Sequence, residues 1–192
     1  MINYSFDRLL DDNELKSELR DLKLKIVSGE YEFKINKDFL KDNRKLINFI
    51  KSSFPNDIVS GSFVLRSYGL INRELNDLDI LINDSNRYTG YTKGGYNDEE
   101  DEISNRLGYK EISHKDGFFS RKKVYKVDFF QNESASYSII DGVKLHNPME
   151  ILNLKMSMLN NLKHRKDLTD AFRMMYIHSV PKLDTLATFL EK

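Results

Sequence analysis

The chain has 192 residues, enough for one domain with a true core or for a compact domain with a helical appendage. Its 30 basic and 30 acidic side chains cancel, so no global field draws in nucleic acid, and any such binding needs a local patch. It has no cysteine, which removes disulfides, thiolate metal sites and cysteine nucleophiles together and suits a reducing compartment. No apolar run approaches the roughly 20 residues that cross a bilayer, and MINYSFDRLLDDNE lacks the basic-then-apolar order of a signal peptide. The expectation is a cytoplasmic protein with no membrane partner.

In chain order, residues 12–28 open with an Asp/Asn cap signal and space Leu15, Leu19, Leu22 and Ile26 as one face of an amphipathic helix. A second helix is predicted over about 37–53, with Phe39, Leu40, Leu46, Ile47 and Ile50 on one side and Pro55 beyond its end. DIVSGS is a short extended piece, a helix follows from Phe63 to about Gly69, and a strand runs from Asp77 to Ile82. The stretch 85–97, SNRYTGYTKGGYN, reads as an exposed loop, and the acidic run 98–102 as the start of a helix, DEEDEISNRL. YKEIS and KKVYKVDFF are predicted antiparallel strands, and SYSIIDGVKLH a hairpin turning at Asp141-Gly142. From Pro148 onward PMEILNLKMSMLNNL, LTDAFRMMYIHS and KLDTLATFLEK are helical. The fold class is α+β: a mixed sheet flanked by helices, with a C-terminal helical bundle.

Chemistry concentrates at NDLDILIND. Alternation along a strand sends Leu78, Ile80 and Ile82 to one face and Asp77 and Asp79 to the other. Two carboxylates that close repel, so they need a solvated edge, shared protons or a bound cation. Upstream, Gly61-Ser62 ends an extended segment and opens a helix, a slot where backbone and a hydroxyl approach a phosphate. Downstream, Asp128 interrupts the apolar run KVYKVDFFQ, where a lone buried charge is expensive. Three adjacent strand-borne aspartates make an oxygen-only site suited to Mg²⁺ or Mn²⁺.

The run GSFVLRSYGLINRELNDLDILI resembles the signature of the nucleotidyltransferase-fold superfamily, which includes DNA polymerase beta: Gly-Ser or Gly-Gly, an intervening helix, then Asp-x-Asp on a strand. Within it the match is closest to small bacterial nucleotidyltransferases of the AbiEii toxin type. HNPMEILNLKMSMLNNLKHRKDLTDAFRM also resembles their later motifs, so the likeness covers roughly residues 58–175. The expected organisation is N-terminal helices over 1–55, which lie outside the likeness, a nucleotidyltransferase core over 56–147 and a C-terminal helical region over 148–192, in one compact unit. The likeness implies that Gly61 and Ser62 hold the β- and γ-phosphates of a nucleoside triphosphate (NTP) and that Asp77 and Asp79 ligate two metal ions. Asp128 would complete the second ion's shell and help deprotonate the acceptor. Lys155 would lie near the triphosphate, Arg73 would neutralise phosphate charge, and Asp167, with Asp170 as companion, fills the later acidic position.

The implied activity transfers a nucleoside monophosphate from an NTP to an acceptor hydroxyl or phosphate, with Mg²⁺ or Mn²⁺. Charge then builds on attacking and leaving oxygens, and two ions about 3.5–4 Å apart stabilise both. The acceptor is open: a tRNA end, a protein side chain or a small molecule, in a toxin–antitoxin or phage-defence setting with a cognate antitoxin as partner. Two alternatives stay beside it, a catalytically silent nucleotide- or partner-binding module and an antibiotic-modifying nucleotidyltransferase. Asp-x-Asp and Gly-Ser are weak signals singly, since strand ends and strand-to-helix turns carry them for structural reasons; their order carries the reading. Histidines 114, 146, 164 and 178 lack metal-ligand spacing and read as structural or surface residues. Lys163-His164-Arg165-Lys166 reads as an exposed helix junction or a phosphate-binding group.

Overall fold

The computed structural model describes Lys25, Ser28, 31–82, Thr92, 105–114, 123–132, 134–158 and 161–179. Lys25 and Ser28 are helical. The rest of the expected 12–28 helix lies outside the described residues, as do the acidic run 98–102, the 85–97 loop apart from Thr92, and KLDTLATFLEK.

Two short helices come first, α1 (Lys37–Asp42) and α2 (Arg44–Ser53). Asn36 caps α1 by accepting the Phe39 amide, which satisfies one of the orphan donors of a helix start. Asn43 separates the two helices: its backbone leaves the helical region at φ −102° and ψ 20°, while its side-chain amide donates to the Phe39 carbonyl. The single helix expected over 37–53 is therefore broken once, at an asparagine whose backbone N–H and side-chain amide both donate to the Phe39 carbonyl.

Then follow β1 (Ile58–Ser60), α3 (Gly61–Ser67), β2 (Leu78–Ile82), β3 (Arg106–His114), β4 (Lys123–Gln131), β5 (Tyr137–Ile140), β6 (Val143–His146), α4 (Pro148–Ser157) and α5 (Leu162–Ser179). The chain is α+β, with a six-stranded mixed sheet in the order β3-β4-β2-β1-β6-β5. β1 pairs antiparallel with β2 and parallel with β6, β2 runs parallel to β4, and β3–β4 and β5–β6 are antiparallel. The β5–β6 hairpin turns at Asp141-Gly142 with φ of 50° and 74°, the double positive φ that matches the twist of paired strands. Arg106 and Leu107, expected in an acidic-started helix, are the first residues of β3. Asn105 enters it at φ 54° and the register shifts between Arg106 and Gly108.

The sheet has two different faces. On one, Leu78, Ile80 and Ile82 of β2 and Val127 and Phe129 of β4 are buried under α2, whose Phe49 stacks on Tyr125 at 4.5 Å while Phe54 meets Phe129 edge-on at 5.9 Å. Phe49 is fully buried, so its truncation to alanine costs about 3–5 kcal/mol. The core is one cluster reaching from Phe39 to Met175, which ties α5 to the sheet. The opposite face carries Asp79, Asp128 and the groups described below. Among the described residues no helix is long and apolar enough to cross a membrane.

Candidate functional site

Register assembles the site. Tyr109, Asp128, Asp79 and Ser60 are successive cross-strand partners on β3, β4, β2 and β1, and directly opposed residues share a face. Ser60 extends the row to β6 through a 2.8 Å hydrogen bond between its Oγ and His146 Nδ1. Asp77, just before β2, joins the row's acidic centre: Asp77, Asp79 and Asp128 each offer a carboxylate oxygen, and these oxygens lie within 4.8 Å of one another.

Gly61 follows Ser60 at φ +60°, and a β-carbon there would fall 1.5 Å from Asp79 Oδ2. Only glycine lets the strand turn into α3 against that carboxylate. The helix therefore begins at Gly61, two residues earlier than expected, and Ser62 is buried in its first turn. Gly61, Ser62, Asp77 and Asp79 line a cavity of about 90 Å³ with Arg73 and Lys155, which brings together the residues singled out on separate segments. Asp128 completes the carboxylate group from β4, and Asp170, half-buried on α5, is not among the residues lining the cavity.

Charge is distributed unevenly. Burial, then the neighbouring charges of Asp77 and Asp128, push the Asp79 carboxyl up to about 7, against the pull of Lys155 and Lys163. Asp128 is fully buried, and its Oδ1 accepts from Arg106 at 2.6 Å (Nη2) and 3.2 Å (Nε). Asp128 Oδ2 has no hydrogen-bond partner among the described residues, with Lys126 Nζ standing off at 3.7 Å. A buried, unbonded carboxylate oxygen beside two further carboxylates is a poor arrangement for a bare protein and a good one for a hard cation. The oxygen-only donor set fits Mg²⁺ or Mn²⁺.

The far wall is cationic and held by Asp167. Arg73 donates to it in the bidentate manner, Nε to Oδ1 at 2.7 Å and Nη2 to Oδ2 at 3.0 Å, and Lys155 Nζ lies 3.0 Å from Oδ2. Burial alone raises the Asp167 carboxyl, but the Arg73 hydrogen bonds and the Lys155 charge hold it below the ordinary range. The Asp167 hydrogen bonds hold Arg73 above its ordinary value. Lys155 also donates to His164 Nδ1 at 3.2 Å. Asp167 thus aims two cations at the cavity rather than facing a ligand itself.

Three side chains near the site escaped the sequence reading. His146 and His164, read as structural or surface residues, are buried and line the cavity. Arg106 is the buried partner that Asp128 requires. The signal for Arg106 was present, since a carboxylate inside an apolar strand demands a cation on a neighbouring strand; His146 reaches Ser60 only through long-range strand pairing, 86 residues away. Of the basic group, Lys163 and His164 line the cavity and Lys166 is exposed to solvent.

No family model, curated protein or solved structure matches the chain.

Proposed function

We propose that the chain is a metal-dependent nucleotidyltransferase of the nucleotidyltransferase fold, moving a nucleoside monophosphate from an NTP to an acceptor hydroxyl or phosphate. The observation that carries this reading is the meeting of Asp77, Asp79 and Asp128 oxygens within 4.8 Å, directly against a glycine turn with no room for a β-carbon. Gly61 and Ser62 give the triphosphate a close backbone approach and a hydroxyl. Arg73 and Lys155, held by Asp167, supply positive charge to its oxygens without reorganising during reaction.

When bound by the three aspartates, Mg²⁺ or Mn²⁺ supplies Lewis-acid stabilisation of charge on the attacking and leaving oxygens. The residues then act by positioning. In-line attack forms a bond from the acceptor oxygen to the α-phosphorus, the α–β bridging bond breaks, and pyrophosphate leaves with the electron pair.

The test is pyrophosphate release from each common ribonucleoside triphosphate with Mg²⁺ or Mn²⁺ and a total RNA, protein or metabolite fraction as acceptor. Release by the wild type and none by Asp77→Ala/Asp79→Ala supports the reading; no release with any NTP and acceptor fraction overturns it.

A further inference from the structure

The row of carboxylates continues into a second set of polar groups that nucleotidyl transfer, as described so far, does not use. Ser60 Oγ lies 2.8 Å from His146 Nδ1, His146 Nε2 lies 2.8 Å from Glu150 Oε2, and Glu150 Oε1 accepts from the Ser136 hydroxyl. Ser60 and His146 are buried and line the same cavity as Asp77 and Asp79. The Glu150 side chain is 41 % exposed. The chain of hydrogen bonds therefore runs from the site to solvent.

Its direction follows from its partners. Burial raises the Glu150 carboxyl, but hydrogen bonds from Ser136 and His146 hold it below the ordinary carboxylate range, and burial pushes the His146 imidazole down. A carboxylate accepts, so Nε2 carries the proton, Nδ1 is the acceptor and the Ser60 hydroxyl donates to it. Ser60 also occupies the N-cap position of α3 yet makes no side-chain cap hydrogen bond. It forgoes the usual role of a serine there, worth about 1 kcal/mol, in favour of the histidine.

Transfer to a hydroxyl releases a proton that needs a receiver. Asp128, expected to help take it, is committed: Oδ1 is gripped by Arg106 and Oδ2 belongs to the cation site. We propose that Ser60, His146 and Glu150 form a proton relay that takes the acceptor hydroxyl's proton from the carboxylate row to solvent, an inference that rests on the nucleotidyl-transfer reading of that row. As the acceptor oxygen bonds to the α-phosphorus and pyrophosphate leaves, the acceptor proton passes to Ser60 Oγ. Ser60 gives its own proton to His146 Nδ1, and the Nε2 proton moves to Glu150. Ser60 is the group that meets the acceptor; His146 and Glu150 act through it.

The experiment compares wild type with His146→Gln, whose amide can accept from Ser60 and donate to Glu150 but cannot pass a proton, and with His146→Ala. Pyrophosphate release from NTP with Mn²⁺ is read as kcat and KM, in H₂O and D₂O, with and without added imidazole. The relay predicts a kcat lower by about 10²–10⁴-fold in His146→Gln, a KM within about threefold of wild type, and partial recovery of His146→Ala by imidazole. Imidazole ¹⁵N shifts of the full-length protein give a second readout independent of turnover, with Nε2 protonated and Nδ1 responding to Ser60→Ala. Wild-type kcat in His146→Gln, or a proton on Nδ1, overturns the relay while leaving the nucleotidyl-transfer reading standing. No release by wild type overturns that reading and the relay with it.

Discussion

Gly61 and Asp79 touch so closely that a β-carbon on the glycine would fall 1.5 Å from Asp79 Oδ2 and 2.6 Å from Cγ. The contact fixes the carboxylate on one side and the strand-to-helix turn on the other. Alanine at this position meets a left-handed backbone, which costs about 1–3 kcal/mol, and also pushes Asp79 out of the row. Gly61→Ala is expected to lower stability in urea titration by at least that amount and to abolish turnover and the Mn²⁺-induced rise in Tm. A folded Gly61→Ala protein with wild-type Mn²⁺ binding would show that Asp79 is not placed by this contact.

The pH response of Asp79 has a definite sign. Its folded value, about 7, stands above the ordinary 3.8, so the metal-free folded protein keeps a proton that the unfolded chain has already released. This contribution to stability is complete below about pH 4 and is lost as pH rises towards and through 7. Metal-free protein is expected to lose Tm across that window, and Asp79→Asn to flatten the loss. Added Mg²⁺ or Mn²⁺ should raise Tm more at pH 8 than at pH 6, where it must displace the proton. Calorimetry over this range, with and without the cation, checks both.

Asp167 behaves oppositely. Its folded value lies below the ordinary 3.8, so it contributes stability above that pH, and the contribution fades as pH falls through the folded value. Asp167→Asn should remove part of the acid-unfolding limb. It also leaves Lys155 and Arg73 unpinned, which is expected to raise KM for the NTP more than it lowers kcat. Acid titration followed by circular dichroism, together with steady-state kinetics, tests the two effects separately.

Arg106 and Asp128 form a buried pair, with Arg106 side-chain exposure of 1 % and Asp128 of 0 %. Removing one partner strands a charge, so Arg106→Leu is expected to cost about 3–5 kcal/mol. Arg106→Leu combined with Asp128→Leu should regain most of that stability and regain no turnover. A double variant as unstable as the single one would contradict the pairing argument.

The local pattern of the chain carried much of this. Alternation in LDILI placed Leu78, Ile80 and Ile82 together under the helices, as found. A carboxylate pair, a Gly-Ser turn and an isolated Asp128 were visible as anomalies against apolar surroundings. Cross-strand register was not, because nothing local says that β4 pairs parallel with β2 so that Asp79 meets Asp128. The same blindness hid His146, which lies 86 residues from Ser60. Arg106 was misread because the helix expected from the acidic run was carried through to Leu107, whereas Asn105 at φ 54° leads into a strand with a bulge.

If the row's carboxylates serve transfer at the α-phosphorus, isotopic labels on the NTP distinguish it from every other use of the triphosphate. Wild type and Asp77→Ala/Asp79→Ala are incubated with Mg²⁺ and each common ribonucleoside triphosphate, labelled with ³²P at the α or the γ position, and with cell lysate supplying acceptors. Nucleotidyl transfer predicts that α-label becomes attached to a macromolecule or metabolite while γ-label leaves as pyrophosphate, and that the double variant transfers neither. Transfer of the γ-label, or α-label transfer undiminished in the double variant, would contradict it.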